Sequence, residues 1–172
     1  MNISTSWIRE WANPDVSDHE LSEKLTMAGL EVDRIAPVAP PFNGLVVGHV
    51  VNCDKHPNAD KLSLCEVDIG DKSNLQIICG APNVRKDLKV AVATVGSVLP
   101  NGLKIKRAKL RGVESNGMLC SESEIGISDS HEGIIELELS AAIGADIRSI
   151  LDLDEQVIDC LLYTSPSPRD RG

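Results

Sequence analysis

The sequence predicts a mainly β protein, in which a small closed barrel of five strands follows a short α+β unit. Between residues 45 and 110, five short segments rich in Val, Ile and Leu are separated by turns of Pro, Gly and Asn. Short strands at close spacing are typical of a small barrel. Residues 1–38 instead show two helix patterns and one strand pattern. A chain of 172 residues has room for both parts, and 42% hydrophobic residues are ordinary for a folded core.

The second of the two helix patterns has well-defined ends. Ser17 is a suitable N-cap, and Glu20 stands three residues later, where it completes a capping box. Gly29 then ends the helix, because glycine accepts the left-handed backbone conformation of a helix terminus. The side chains predicted to form its apolar stripe are Leu21, Leu25 and Ala28.

The first helix pattern, residues 6–12, stops before Pro14, which cannot continue a helix. Residues 31–38 follow as a strand pattern, and the proline-rich stretch around Ala39 predicts a domain boundary. About 38 residues are too few for an independent core, so we expect this unit to need a partner. The side chains predicted to be buried on the first helix are Trp7, Ile8 and Trp11.

The five predicted barrel strands are residues 45–53, 62–69, 75–79, 88–95 and 103–110. Between the last two, Pro100-Asn101-Gly102 is a strong hairpin signal, because Asn-Gly accepts the positive φ values of a tight turn. This turn would place the fifth strand beside the fourth. After the barrel, residues 133–139 predict another short strand, and residues 140–151 predict a loop that leads into a brief helix.

Residues 104–112, KIKRAKLRG, form a basic segment in a chain whose formal net charge is -9. Leu103 and Ile105 alternate with its cations, as do Ala108 and Leu110 once one residue is inserted between the two pairs. This pattern predicts a bulged strand whose outer side carries cations about 6.6 Å apart, close to the spacing of nucleic-acid phosphates. The alternative is a sheet edge that lysines protect from pairing. The basic side chains are Lys104, Lys106, Arg107, Lys109 and Arg111.

Composition and motifs exclude several classes of function. Aromatic residues make up 2% of the chain, too few for a single-strand binder that relies on stacking. Five widely spaced cysteines predict reduced thiols, and no second pair joins Cys53 and His56 in a zinc site, so we expect a core thiol and a surface imidazole. Common enzyme motifs are absent, and His131 has no assigned role. Without a signal peptide or a long apolar stretch, we expect a cytoplasmic protein with no membrane partner.

Two loops at the ends of predicted strands carry Pro, Asn and backbone NH groups. They are HPNADKL, residues 56–62, and CGAPNV, residues 79–84. Such groups can bind phosphates or sugar hydroxyls, but the same residue types also form ordinary turns, and both interpretations stay open. Beyond the basic segment, Ser115 supplies a hydroxyl, and Met118 and Leu119 are expected to fill the barrel.

Taken in order, the motifs HPNADKL, ICGAPNV, AKLRGVESNGMLCS and SEIGI resemble the tRNA-binding OB domain of several tRNA-handling proteins. SWIREWAN and LTMAGLEVD resemble the amino-terminus of the bacterial phenylalanine-tRNA ligase β chains, and the resemblance covers nearly all of residues 1–159. It implies an OB-fold barrel in a β chain that joins a catalytic α chain in an (αβ)2 enzyme. That enzyme charges tRNA with phenylalanine and uses ATP and Mg2+. The piece itself is then expected to be non-catalytic and to hold no cofactor or metal.

The same resemblance implies which residues face the RNA. They lie in the HPNADKL loop, in the CGAPNV loop, along the basic segment and just beyond it. A free-standing tRNA-binding OB protein, or a scaffold domain within the synthetase, remains an alternative. The implied RNA contacts are His56, Asn58, Lys61, Asn83, Lys104, Lys106, Arg107, Lys109, Arg111 and Ser115.

The resemblance also divides the chain into parts. Residues 1–38 are the amino-terminal unit, residues 39–150 the tRNA-binding OB domain, and residues 151–159 the start of a segment that returns to the first unit. The last part, residues 160–172, reads CLLYTSPSPRDRG and resembles a translated sequencing adaptor. We therefore expect a non-native tail, to be left out of the fold.

Overall fold

A computed structural model describes residues 1–129 and 132–161 of the chain. His131 and, from residue 162, the predicted non-native tail lie outside the described residues. The described chain divides into two compact units, residues 1–38 with residues 154–161, and residues 39–153. In chain order the elements are β1 (Asn2–Ser4), α1 (Thr5–Trp11), α2 (Asp18–Met27), β2 (Val32–Pro37), β3 (Asn43–Lys55), β4 (Ser63–Asp68), β5 (Leu75–Cys79), β6 (Lys89–Val98), β7 (Ala108–Leu110), β8 (Val113–Ser115), β9 (Gly117–Leu119), β10 (Glu136–Leu137), α3 (Ile147–Ile150) and β11 (Gln156–Cys160).

An antiparallel sheet in the order β1-β11-β2 forms the centre of the first unit. Its middle strand, β11, pairs with both neighbours, so that Ile158 lies opposite Ile3 on one side and Ile35 on the other. Ile158 is fully buried, and Leu21 of α2 belongs to the same apolar cluster. Residues 1–38 hold only the two outer strands of this sheet, so the core of the unit depends on β11.

The predicted ends of α2 are confirmed. The Ser17 hydroxyl accepts a hydrogen bond from the Glu20 amide (3.2 Å), and the Ser17 amide donates to the Glu20 carboxylate (2.8 Å). Hydrogen bonds from Ser17 favour the ionised carboxylate and so lower the pKa of Glu20. Gly29 follows the helix with a φ of +96°. Ala28, which the predicted apolar stripe included, is exposed, so the buried stripe is shorter than predicted.

The prediction that Trp7 and Trp11 are buried is wrong, because these residues are 57% and 82% exposed. Thr5 is buried on α1, and Ile8 packs against the apolar cluster of the unit. At about 100° per residue, the side of the helix that carries the two tryptophans is turned by about 110° from the side that carries Thr5 and Ile8. The sequence pattern therefore identified the helix, but the smaller pair of side chains faces the core.

The second unit is a nearly closed barrel, which confirms the predicted mainly β fold with an OB-type barrel. Strands β10, β6, β3, β4 and β5 are neighbours in that order, and β9 pairs with β6. Beside β9, the Asn116 amide donates a hydrogen bond to the Gln76 carbonyl of β5 (2.8 Å). The strands thus follow one another around the barrel in the order β3, β4, β5, β9 and β6. Four of them, β3 to β6, lie where the sequence predicts strands.

The prediction of a fifth barrel strand at residues 103–110 is wrong. The Asn101-Gly102 turn does fold the chain back, and the Ile105 amide donates to the Ser97 carbonyl (2.8 Å), but the pairing there is an isolated bridge. Ile105 is buried (6% exposed), whereas Leu103 is 50% exposed. The place beside β6 belongs to β9, a strand of three residues that starts at a glycine and so gives almost no strand signal.

Strand β6 is buried on both faces. Val90 and Val92 belong to the cluster of the barrel strands, whereas Ala91 and Ala93 belong to a second cluster. Successive side chains of a strand point to opposite faces, so this alternation places a second apolar layer outside the barrel wall. Residues after the barrel supply much of that layer, including Ile125, Ile135 and Ile147.

All five cysteines are free thiols, as predicted. Burial raises the pKa of Cys65 and Cys79, and it raises the pKa of Cys120 to about 12. These three thiols stay protonated at neutral pH, since the thiolate requires a much higher pH. All three are buried core residues.

Candidate nucleic-acid interface

Strands β7 and β8 form a two-stranded hairpin of their own, residues 108–115, which we call the basic hairpin. Leu110 lies opposite Val113, so the turn consists of Arg111 and Gly112, whose φ angles are +51° and +93°. Positive φ at both central residues is the signature of a type I′ turn, whose twist matches that of the strands it joins. The turn therefore puts Arg111 at the tip of the basic hairpin.

Polar side chains attach β8 to the neighbouring barrel strand β5. The Ser115 residue is 3% exposed, and its hydroxyl accepts a hydrogen bond from the Ile78 amide (3.1 Å) and donates to the Gly117 carbonyl (3.1 Å). The side-chain amide of Gln76 donates to the Glu114 carbonyl (2.7 Å). These three bonds fix the β8 strand to the barrel.

The HPNADKL loop holds the tip of the basic hairpin. The buried His56 ring places Nε2 3.2 Å from the Leu110 carbonyl oxygen, and its Nδ1 accepts a hydrogen bond from the Asn58 amide (3.1 Å). The Asn58 side-chain amide donates to the Arg111 carbonyl (3.1 Å). We call the bonds from His56 to Leu110 and from Asn58 to Arg111 the tip contact. With this contact, the hairpin is held at both ends.

Most exposed charged side chains of the HPNADKL loop, the basic segment and the basic hairpin are cations, although Asp60 and Glu114 are exposed there as well. Because residues 104–107 form no regular strand, the cations do not make the single straight row that the sequence predicts. All are exposed, and within residues 1–129 and 132–161 none of them forms an ion pair with a carboxylate. Unpaired cations attract a polyanion without first breaking an internal bond. The six are Lys61, Lys104, Lys106, Arg107, Lys109 and Arg111.

Asn83 contacts a different segment, the chain that leads into β10. Its side-chain amide donates to the Ile134 carbonyl (2.9 Å), and its Oδ1 accepts from the Ile134 amide (3.0 Å), as a neighbouring strand would. The Arg85 guanidinium binds the Glu136 carboxylate in a bidentate pair (2.9 and 2.8 Å). Hydrogen bonds from Arg85 and then Asn83 lower the pKa of Glu136. The CGAPNV loop and the neighbouring Arg85 are thus bonded to residues 134–136, where β10 begins.

The structure brings the HPNADKL loop, the basic hairpin and Ser115 together, and it places Asn83 against another segment. The predicted surface position of His56 is wrong, because the residue is 4% exposed and both ring nitrogens have backbone partners. Sequence reasoning did not find Gln76, whose side chain bonds the backbone of β8. No local pattern marks that residue, since its partner lies 38 positions away.

The range of the chain that holds these features matches a known family. The family model of the tRNA binding domain matches residues 45–146, which include the barrel strands, the tip contact and the basic hairpin. The chain belongs to the tRNA-binding domain family. The chain is 60% identical over 159 residues to the phenylalanine-tRNA ligase beta subunit of Pectobacterium atrosepticum, and 58% identical to that of Yersinia pestis.

Those alignments cover 92% of this chain and 20% of each relative, so the chain spans about a fifth of the length of the relatives it matches. Among solved structures, a MetRS related protein from Pyrococcus horikoshii is 23% identical, with a TM-score of 0.44 over 59% of this chain and 85% of its own. Across the described parts of the chain, no helix has the length and apolar character needed to cross a membrane. The same residues contain no cluster of His, Cys, Asp and Glu suited to hold a metal ion.

Proposed function

We propose that this chain binds tRNA through the basic segment, with the exposed cations on the phosphates. One observation carries the proposal: six exposed cations without a carboxylate partner among the described residues lie on the HPNADKL loop, on the basic hairpin bonded to it, and on residues 104–107 directly before that hairpin. The net charge of the chain is -9, so its remaining surface repels a polyanion and favours binding at this face alone. Recognition then depends on phosphate position and RNA shape more than on stacking.

In this proposal, the residues that the sequence resemblance implies as RNA contacts have two different roles. The six cations meet the RNA, whereas His56, Asn58 and Ser115 support the surface that carries them. Asn83 supports the chain before β10. The support for this division is the hydrogen bonding of the four polar side chains, which are all engaged with backbone groups.

We infer further that the chain is the amino-terminal part of a phenylalanine-tRNA ligase β subunit, on the support of 60% identity to one such subunit. The whole protein would join a catalytic α chain in an (αβ)2 complex, act in the cytoplasm, and use ATP and Mg2+ to charge tRNA with phenylalanine. Residues 39–150 would be its tRNA-binding OB domain. Residues 151–159 would start the segment that returns to the unit of residues 1–38, and residues 160–172 would be a non-native tail.

Charge reversal tests the proposed RNA contact. The variant changes Lys106, Lys109 and Arg111 to Glu, and tRNA affinity is measured over a salt series. If wild type neutralises about four phosphates, its log affinity should fall against log salt with a slope of about -3, and the variant should lose most of its binding. The matched control changes three exposed lysines outside the basic segment and should keep most of the affinity. These lysines are Lys24, Lys72 and Lys86.

Equal, weak binding by wild type and the charge-reversed variant would contradict the proposal. It would favour a scaffold role, in which the cations of the basic segment only protect exposed backbone from pairing with another strand. An equal loss in the variant and the control would show that tRNA responds to net charge and not to this surface.

A further inference from the structure

We propose that His56 and Asn58 are positioning residues for tRNA binding, which act on the RNA through the basic hairpin and do not touch it. The inference rests on the proposed function of the basic segment. It gives the beginning of the HPNADKL loop a different task from the direct RNA contact that the sequence resemblance implies.

The hydrogen-bond roles at His56 follow from its partners. The Leu110 carbonyl can only accept, so Nε2 carries the proton and donates across 3.2 Å. The Asn58 backbone amide can only donate, so Nδ1 is the unprotonated acceptor at 3.1 Å. The ring is therefore neutral, and neither nitrogen is left for a phosphate. Because His56 is also buried, the rest of the ring cannot contact RNA directly.

Asn58 makes the second bond of the tip contact. The imidazole holds its backbone amide, and its side chain donates to the Arg111 carbonyl at 3.1 Å. The two residues thus bind consecutive carbonyls at the start of the turn. Arg111 has a φ of +51° there, a conformation that is uncommon for a residue other than glycine. The tip contact stabilises the turn in this conformation.

The basic hairpin is short enough to need such support. Each of its strands has three residues, and an isolated two-stranded hairpin is marginally stable in water. Ser115 fixes the β8 strand to the barrel, and the tip contact fixes the turn. The backbone that carries Lys109 and Arg111 is therefore held in one arrangement before RNA arrives. This reduces the entropy lost on binding, which would otherwise weaken the complex.

Two substitutions separate the two bonds of the imidazole. In His56→Gln the side-chain amide can take the place of Nε2 and still donate to Leu110. In His56→Asn the shorter side chain can still accept from the Asn58 amide but cannot reach Leu110. We expect His56→Asn to weaken tRNA affinity about fivefold, comparable with one lost hydrogen bond, and His56→Gln to stay within about twofold of wild type. The whole chain is used, and thermal unfolding confirms that each variant is folded.

A double-mutant cycle shows whether the effect passes through the basic hairpin. His56→Asn is combined with Lys109→Glu and Arg111→Glu. If His56 acts by positioning these two cations, its substitution should no longer change the affinity in that background, whereas independent effects would add. Hydrogen exchange without RNA gives a separate readout, since amides 109–114 should exchange faster in His56→Asn than in His56→Gln.

The outcomes distinguish the inference from the proposed function beneath it. The inference is overturned if the two His56 variants bind tRNA equally well, or if the loss in His56→Asn persists undiminished in the charge-reversed background. Both results leave the RNA site itself intact. If Lys109→Glu and Arg111→Glu alone leave tRNA affinity unchanged, the proposed RNA site fails, and the positioning role fails with it.

Discussion

Three polar side chains of the barrel unit bond the backbone of a neighbouring segment. His56 binds Leu110, Ser115 binds Ile78, and Asn83 binds Ile134. Each side chain stands in for a strand partner, because buried backbone groups need hydrogen bonds. From sequence alone, a His or Asn in such a loop fits ligand binding equally well, since residue type does not reveal which backbone group will lie opposite. The exposed cations were predictable, because their charge keeps them in water.

The Asn83 side chain provides a prediction at this scale. Asn83→Ala should lower the free energy of unfolding by about 1–3 kcal/mol, because the Ile134 amide and carbonyl both lose a partner. Chemical denaturation measures the change. Asn52→Ala is the matched control: its amide binds the exposed Asp54 carboxylate, so its loss should stay under about 0.5 kcal/mol. A loss for Asn83→Ala no larger than that of the control would contradict this structural role of Asn83.

Helices and strands with clear sequence patterns were easier to predict than the roles of single residues. The capping box of α2 and the apolar runs of β3 to β6 predicted those elements with small shifts at their ends. The basic segment was wrongly predicted to be a barrel strand. Its alternating apolar and basic residues indicate a face that could be buried, but they do not show which neighbouring strand would pack beside it. In the fold, β9 occupies the place beside β6, and Ile105 alone of the four alternating apolar residues is buried. Which of two candidate segments completes a barrel depends on tertiary packing.

Ile105 is therefore the apolar anchor of the basic segment, and Leu103 is not. Ile105→Ala should cost about 2–4 kcal/mol of unfolding free energy, as is usual when a buried isoleucine is truncated. Leu103→Ala, two residues away on exposed chain, should change it by less than about 0.5 kcal/mol. Urea denaturation of the two variants makes the comparison. Similar losses in both would mean that the segment packs as the regular strand its sequence pattern suggests.

At the scale of the whole molecule, the first unit is discontinuous in sequence. Its size alone predicted that residues 1–38 need a partner, but size cannot say which segment supplies it. The structure assigns that place to β11, which pairs on both sides and contributes the fully buried Ile158. Pairing between segments more than 100 residues apart leaves no local signal, so the resemblance to a known family was the only guide to it.

Removing β11 should therefore affect the two units differently. A chain that ends at Leu153 loses the middle strand of the β1-β11-β2 sheet, so amides of residues 1–38 should lose their protection from hydrogen exchange. The barrel strands of residues 39–153 should remain protected, since their partners are all present. Protection of β1 and β2 that survives the truncation would contradict the dependence of this unit on β11.

In our proposal, RNA meets this molecule at the basic hairpin. Titration of the isotope-labelled chain with tRNA, followed by amide chemical shifts, tests it most directly. We predict the largest changes at residues 104–112, smaller changes at residues 56–62, and loss of both as salt is raised. Residues 17–38 should stay unchanged. The largest changes at residues 134–136 beside Asn83, or in residues 1–38, would contradict the account.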